Sequence, residues 1–549
     1  MPLAFVTSFK LAAWTPKYLI VPLVAAAGVC VTPSVLRGRS RATARRPALL
    51  ALLFAGWAAL ATLAAPDRNV ALWGRYSTGT GLVFVLALVG AWMLGVSMRP
   101  AAAGLLERTL LAACVVSALV ALVQQVTDLS SYGLALYQGR SAALYGNPVY
   151  LAELLAGGIW LAVCRLRRER PVGAALALLV LSAGMAVTGS RFGLALSVLA
   201  ALLAWMRLAR TRAATATLFI AVGLGLGTVL ASSSPYGTST TSVSRVEAAP
   251  ASGLTPRLET WRAAATAVAA RPLLGWGPSG FLAATSAHRT LKLAKAEGPD
   301  RLFADAHDMI IEYAVTTGLP GVALLAAWLA IAVRRSRNDA LLGFAGFVVA
   351  LTLLEPLHVG VTPLALLALG GAAAAGVEGE RSPWVWRAVG AVAVTAALGA
   401  VVTLGLGFIR LRHAELDASP ASARHAVALL PGWWQPAQTV GCLLSFADLS
   451  RPGGTPRGET IDWYATAARR DQQDPEPWTD LAGIERSAGD LNGASLALQH
   501  ALTRDPWSQR ALLGLARVDR QLGRVGEATS LERRAAMLGS SSTAIGGCQ

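Results

Sequence analysis

Charged side chains are scarce in this chain. Asp, Glu, Lys and Arg make up 14% of its 549 residues, where a soluble globular domain carries roughly 25%. With 54% hydrophobic residues and a mean hydropathy of +0.51, that shortfall excludes an ordinary soluble fold and points to a membrane protein. Cysteine is sparse as well. Cys30, Cys114, Cys164, Cys442 and Cys548 are scattered without metal-ligand spacing, so no metal site is expected. The first three fall in or beside apolar runs, where a thiol packs as a small apolar group. Acidic residues are outnumbered, 31 against 48 basic ones, for a formal net charge of +17. Such a surplus can serve nucleic acid, anionic lipid or solubility. No arginine-rich stripe interleaved with aromatics lies in a polar segment, so nucleic acid is not an expected partner. The first apolar run lacks a small-residue cleavage site and reads as a retained anchor.

What the chain has in abundance is apolar length. A spanning helix needs about 20 mostly apolar residues. Runs of that kind fall near 17–36, 47–65, 80–97, 105–126, 148–164, 172–188, 193–206, 213–231, 307–333, 339–354, 361–377 and 384–410. Lipid offers no partner for an open backbone, so these about twelve segments are expected to be helices in an all-α bundle. Alternate loops carry nineteen arginines: Arg37, Arg39, Arg41, Arg45, Arg46, Arg99, Arg108, Arg165, Arg167, Arg168, Arg170, Arg207, Arg210, Arg212, Arg334, Arg335, Arg337, Arg381 and Arg387. The intervening short loops hold only Arg68, Arg75, Arg140 and Arg191. By the positive-inside rule the sparse loops face the periplasm of an inner-membrane protein. Both termini then lie outside, with Lys10 and Lys17 pulling weakly the other way. The spans look nearly free of internal charge.

Two segments interrupt the pattern. Residues 232–306 form a long polar loop opening on the Ser/Thr-rich run Ser232 to Ser244. Within it, Leu258, Trp261, Ala265 and Val268 recur at helical spacing, predicting a helix from Pro256 to Ala270 that Pro272 ends. The second is the tail beyond the last span, which divides the chain into a membrane domain, 1–410, and a helical domain, 411–549. An offset of 34 residues relates Leu481 to Leu515, Gly489 to Gly523, Ala494 to Ala528 and Ala501 to Ala535. Asp474-Pro475 and Asp505-Pro506 punctuate the units, and a degenerate third copy is expected around Ala414 to Ala447. That period resembles the tetratricopeptide repeat, a helix pair that buries its apolar face by stacking. It would make the tail a docking surface for a protein partner.

Polar groups collect at the span ends expected to face outward. Arg191 follows Gly189-Ser190; Arg257 opens the loop helix; Asp305-Ala306-His307-Asp308 precedes a long apolar helix containing Glu312. A guanidinium is a permanent cation whose planar fork suits phosphate oxygens, and a histidine can take a proton near neutral pH. Transfer from a diphosphate-linked substrate needs both. Each residue also has a plainer reading. Arg191 can snorkel to head-groups, Arg257 can be a solvated charge, His307 a helix-start histidine, and Glu312 the partner of a neighbouring arginine. Glu355 and His358 can punctuate a short turn, and Gly275 and Gly277 can simply make one.

Order and spacing are more specific than any single residue. The text Tyr145-Gly146-Asn147-Pro148-Val149-Tyr150-Leu151-Ala152-Glu153 comes first, followed by Thr188-Gly189-Ser190-Arg191-Phe192-Gly193. Then come Arg257-Leu258-Glu259-Thr260-Trp261 with Pro272-Leu273-Leu274-Gly275-Trp276-Gly277. Last are Ala306-His307-Asp308, Glu312 and Gly318-Leu319-Pro320-Gly321. This series resembles the O-antigen ligase family, which includes polymerase-like and protein O-oligosaccharyltransferase members. The resemblance implies a periplasmic glycosyltransferase, without metal or other cofactor, that moves an undecaprenyl-diphosphate-linked glycan onto a lipid or protein acceptor hydroxyl. By motif position Arg191 and Arg257 would contact the diphosphate and His307 would be the base, with Asp308, Glu312 and Asn147 binding substrate. Where the family usually has His-Asn this chain has His307-Asp308, and the added carboxylate would raise the histidine pKa or orient its ring. Polymerisation of repeat units and transfer to protein stay open within the family. Outside it, a transporter or flippase for lipid-linked sugars is disfavoured by the absence of duplicated halves, and an assembly protein acting through its tail is the third alternative.

Overall fold

The computed structural model describes residues 1–9, 11–37, 42–168, 171–236, 255–374, 383–451 and 454–539. Lys10, Arg39, Arg41, Arg170, Arg381, Cys548 and the Ser/Thr-rich run from 237 onward lie outside the described residues. Among those described the fold is all-helical, with one isolated bridge between Tyr137 and Arg140.

Every predicted apolar run is a helix. In chain order these are α1 (Thr15–Arg37), α2 (Ala42–Leu63), α4 (Leu82–Ser97), α5 (Pro100–Val126), α6 (Pro148–Arg168), α7 (Pro171–Val187), α8 (Arg191–Arg207) and α9 (Arg210–Ser232), with the short α3 (Arg68–Trp73) between α2 and α4. After the polar loop come α13 (Met309–Arg335), α14 (Asp339–Thr352), α15 (Thr362–Ala372) and α16 (Trp384–Leu416). Seven of them, α1, α2, α5, α6, α9, α13 and α16, are long and apolar enough to cross a membrane on length and composition. The helices α4, α7, α14 and α15 are apolar but shorter. The shortest, α15, is almost entirely enclosed by protein, and an enclosed helix can meet other protein at its ends instead of matching the full lipid thickness. The spans are less free of charge than they read: Lys17, Glu107 and Glu153 are buried within them.

The loops sort onto two ends. Arginine-rich connections meet at one, where Arg212 donates to the Arg167 carbonyl at 2.9 Å and Arg207 lies 3.6 Å from Asp339. The sparse connections meet at the other, where Trp14 donates to the Thr78 carbonyl and Ser141 N donates to the Val187 carbonyl at 3.0 Å. Lys17 is fully buried and donates to the carbonyls of Ala4, Ala13 and Leu144 at 2.6–2.7 Å. It ties the N-terminal segment down and is no surface charge reporting sidedness.

At the sparse end α10 (Thr255–Ala270), α11 (Phe281–Thr285) and α12 (Leu291–Glu297) form a cap. The predicted loop helix is present, but its buried face is Thr260, Ala263, Ala264 and Ala267, while Leu258 is exposed. Two glycine motifs prove to be one contact. Gly318 breaks α13 at φ 73°, and a Cβ there would sit 2.1 Å from the Leu273 carbonyl oxygen. The backbone groups opened by this kink are satisfied by the 272–277 segment: Trp276 N and Gly277 N donate to the Val315 and Thr316 carbonyls at 2.9 Å, and Leu319 N donates to Pro272.

The tail is a run of seven helices: α17 (Pro420–Leu429), α18 (Trp434–Leu449), α19 (Gly458–Arg470), α20 (Pro475–Ser487), α21 (Leu491–Arg504), α22 (Gln509–Gln521) and α23 (Val525–Ala536). The expected domain boundary at 410/411 falls inside the continuous α16. Residues 34 apart hold equivalent places: Leu481 and Leu515 are buried, as are Ala494 and Ala528, and Gly489 and Gly523 both take positive φ after a helix. The inner side of the tail rests on the chain's own cap. Arg289 pairs with Asp505 at 2.8 Å with both side chains almost wholly buried, Arg75 pairs with Asp471 at 3.0 Å and with Asp474, and Asp300 accepts from Ser508 and from Arg510 N.

Candidate active site

The turn before α13 is held at nearly every backbone group. Asp305 Oδ1 accepts from His307 N at 2.9 Å, which supports His307 at φ 49°, a region a non-glycine residue rarely occupies. Asp308 caps α13 by accepting from Ile311 N at 2.9 Å. Ala306 N donates to Glu312 at 3.0 Å, and Trp261 of α10 donates to the Ala306 carbonyl at 3.0 Å. Glu312 thus serves the turn's backbone rather than an arginine, and α10 clamps the turn from the side.

His307 leaves this turn with Nδ1 2.7 Å from Asp305 Oδ1, an ion-pair contact rather than an aligned hydrogen bond, and its ring meets Phe303 edge-on. Nε2 is then the nitrogen left for proton transfer. Burial alone would lower the His307 pKa, but the Asp305 carboxylate, helped by Glu355 and opposed by Arg257, lifts it to about 9. Asp305 would be raised by burial, yet His307 and Arg257 hold it below the usual carboxylate range. The carboxylate that governs the histidine is Asp305, two residues before it; Asp308 is occupied with the helix cap. An Asp-x-His spacing that closes an Asx turn was the signal available in the sequence.

The cations arrive from other elements. Arg191 is the first residue of α8, whose start is fixed by Ser190 accepting from Gly193 N at 3.1 Å, and among the described residues it has no ion-pair partner. Arg257, in the first turn of α10, lies over the ring of Phe192 at 5.3 Å and 3.3 Å from Glu355. Burial raises the Glu355 pKa even though Arg257 and His307 pull it down. Arg191-Phe192, Arg257, Glu355 and the Asp305–His307 pair therefore form one neighbourhood. A small pocket on the Asp305–His307 side of it is lined by Thr78, Thr80, Asp305–Asp308, Glu312, Pro356 and Leu357.

Residues 174–326 match the family model described as O-antigen ligase. This stretch is an O-antigen ligase domain. No curated protein matches the chain. The O-antigen ligase domain contains Arg191, Arg257, His307, Asp308 and Glu312, and the family indicates a glycosyltransferase-like role in the membrane. Glu355 lies outside the matched stretch and joins the site only through the fold. Asn147 also lies outside it, at the start of α6, where its Oδ1 accepts from Val149 N at 2.9 Å; it lines a separate, larger cavity and not the His307 pocket. Sequence reasoning passed over Thr78, Thr80 and the partnering of Tyr150 with His358, whose rings stack at 4.0 Å. Tyr150 is close enough to Asp305 and Glu355 to feel their charges. Glu153, one turn further on, is wholly buried with neither carboxylate oxygen hydrogen-bonded among the described residues.

Proposed function

We propose that this chain is an O-antigen-ligase-type glycosyltransferase that works at the periplasmic face of the inner membrane and takes its glycan from undecaprenyl diphosphate. The acceptor hydroxyl oxygen bonds to the anomeric carbon of the glycan, and the bond from that carbon to the diphosphate breaks. The electron pair leaves on the diphosphate, whose charge Arg191 and Arg257 neutralise, and the hydroxyl proton passes to Nε2 of His307. The single observation that carries this reading is the meeting of three elements: Arg257 reaches from Phe192, next to Arg191, to Glu355, and Glu355 shares the field of His307. The arginine asymmetry supports the periplasmic placement, and the positional equivalence across 34 residues supports tetratricopeptide-like repeats in the tail.

The test is transfer by the purified protein in lipid vesicles supplied with a polyprenyl-diphosphate-linked glycan and a glycan acceptor. His307→Ala and Arg191→Ala are expected to insert and fold normally and to lose transfer; full transfer by both would end the assignment. The raised pKa of His307 favours one second reading, in which the imidazolium is a third cation on the diphosphate. A base must shed its proton, so transfer would rise with pH through about 9; a cationic clamp would lose activity over the same interval.

A further inference from the structure

The larger cavity beside the His307 pocket has a volume of about 460 Å³, within the range of small-molecule sites. Six separate parts of the chain line it: the N-terminal segment through Trp14, Ser77, the 130–133 turn, the stretch around the start of α6, His358, and Arg412 in the last turns of α16. Several of its polar groups present donors, alongside hydroxyls that can donate or accept. His358 is 3% exposed, and its Nδ1 accepts from Gly360 N at 3.2 Å, which puts the ring proton on Nε2. That Nε2 has no partner among the described residues. Burial first, and the Lys17 ammonium second, keep this ring neutral. Asn147 has its oxygen engaged by Val149 N, so its amide hydrogens are what it offers. Arg412, half-buried on α16, also lines the cavity and has no ion-pair partner among the described residues.

No carboxylate is among the described residues that line the cavity, and Trp14, Tyr145 and Tyr150 give it aromatic walls. A buried imidazole N–H without an acceptor, a half-buried amide, a half-buried guanidinium and flat aromatic faces suit a sugar that carries an anionic group: hydroxyls accept from the donors, the ring packs on the aromatics, and the anion meets the guanidinium. The cavity also adjoins the reacting groups. Ser77 and His358 line it while Thr78 and Leu357 line the His307 pocket, and Tyr150 in its wall feels the charges of Asp305 and Glu355.

We infer that this cavity is the acceptor subsite of the transfer proposed above, binding an anionic sugar through Arg412, Asn147 and His358 with its hydroxyl turned toward His307. The inference rests on the glycosyltransferase reading, and the test separates the two. The full-length protein in nanodiscs is titrated with glucose 6-phosphate, glucuronate and glucose, with binding followed by saturation-transfer NMR, and inorganic phosphate is titrated as a competitor of glucose 6-phosphate in the same experiment. Saturable binding of the two anionic sugars is expected, at least about tenfold tighter than glucose or phosphate. Arg412→Gln should bring them down to the level of glucose. In the transfer assay Arg412→Gln should raise the acceptor KM and leave the donor KM alone. Absence of saturable binding by the wild type, or equal binding by Arg412→Gln, overturns the subsite, as does phosphate binding as tightly as glucose 6-phosphate. Normal sugar binding by a wild-type protein that transfers nothing overturns the glycosyltransferase reading instead.

Discussion

Two sets of ion pairs stand at the same end of the molecule in opposite conditions. Where the tail meets the cap, Arg289 and Asp505 have side-chain exposures of 2% and 1%. The guanidinium also donates to the carbonyls of Pro299 and Gly298, and Asp505 caps the next turn through Trp507 N. At the candidate site, Arg257 and Glu355 are 19% and 11% exposed at a looser 3.3 Å, and His307 and Asp305 are 28% and 22% exposed. A buried pair with all its hydrogen bonds made is locked into the architecture. A partly open pair with shifted pKa values can change partner when a charged substrate arrives. The contrast separates arginines locked into the architecture from one, Arg257, whose pair is open enough to exchange its partner. It also bears on how the site is built, because Thr78 and Thr80 follow Arg75 and the Asp305 turn follows the Arg289 contacts. The tail holds Arg75, Arg289 and Asp300, each a few residues along the chain from a wall of the His307 pocket or its approach.

Breaking the locked set should have the largest effect. Asp505→Ala leaves Arg289 buried without its counter-charge, at a cost of about 3–5 kcal/mol. The tail should become protease-sensitive and the thermal transition should fall, and an unchanged melting curve would show that the pair is not the anchor. His307→Ala should lower that curve by less than Asp505→Ala does, because the pair it breaks is partly open to solvent, while transfer falls by about 10²- to 10⁴-fold; a melting shift comparable to that of Asp505→Ala would erase the distinction between the two sets. Asp305→Asn removes the charge that raises the His307 pKa. Because His307 sits above its ordinary 6.5 when folded, the pair's contribution to stability is complete below 6.5 and is lost as pH rises through about 9. The midpoint of the pH–rate profile should accordingly drop from about 9 toward 6.5 in this variant, and a fixed midpoint would mean that another group controls it. Glu355→Gln should be mildest. It frees Arg257 and withdraws a smaller share of the lift on His307, so the midpoint should move the same way by less, with little change in melting.

Much of this organisation was legible in the residues. Each of the twelve apolar runs falls on a helix, since lipid and core impose the same demand on a 3.6-residue turn. Arg191, Arg257 and His307 were legible as candidates because permanent cations and a helix-start histidine at span ends are unusual. Glu355 read as turn punctuation, because nothing local ties a residue between α14 and α15 to the start of α10. Asp308 stood out as the added carboxylate, although an Asx turn makes Asp305 the histidine's partner. The helical spacing that includes Leu258 predicted α10, but did not say which face packs; the alanine face is the buried one. The Asp-Pro pairs of the tail read as unit boundaries, and each aspartate also serves as a counter-ion for an arginine hundreds of residues away.

By itself the sequence determined the helices, the two classes of loop and the residue types available for chemistry, because these follow from periodicity, composition and charge along a short stretch of chain. Which carboxylate governs His307, which arginines are locked and which remain free, and where the large cavity closes were decided only by tertiary structure. Each depends on burial and on the distance between charges far apart in the chain, and those quantities do not exist until the helices pack.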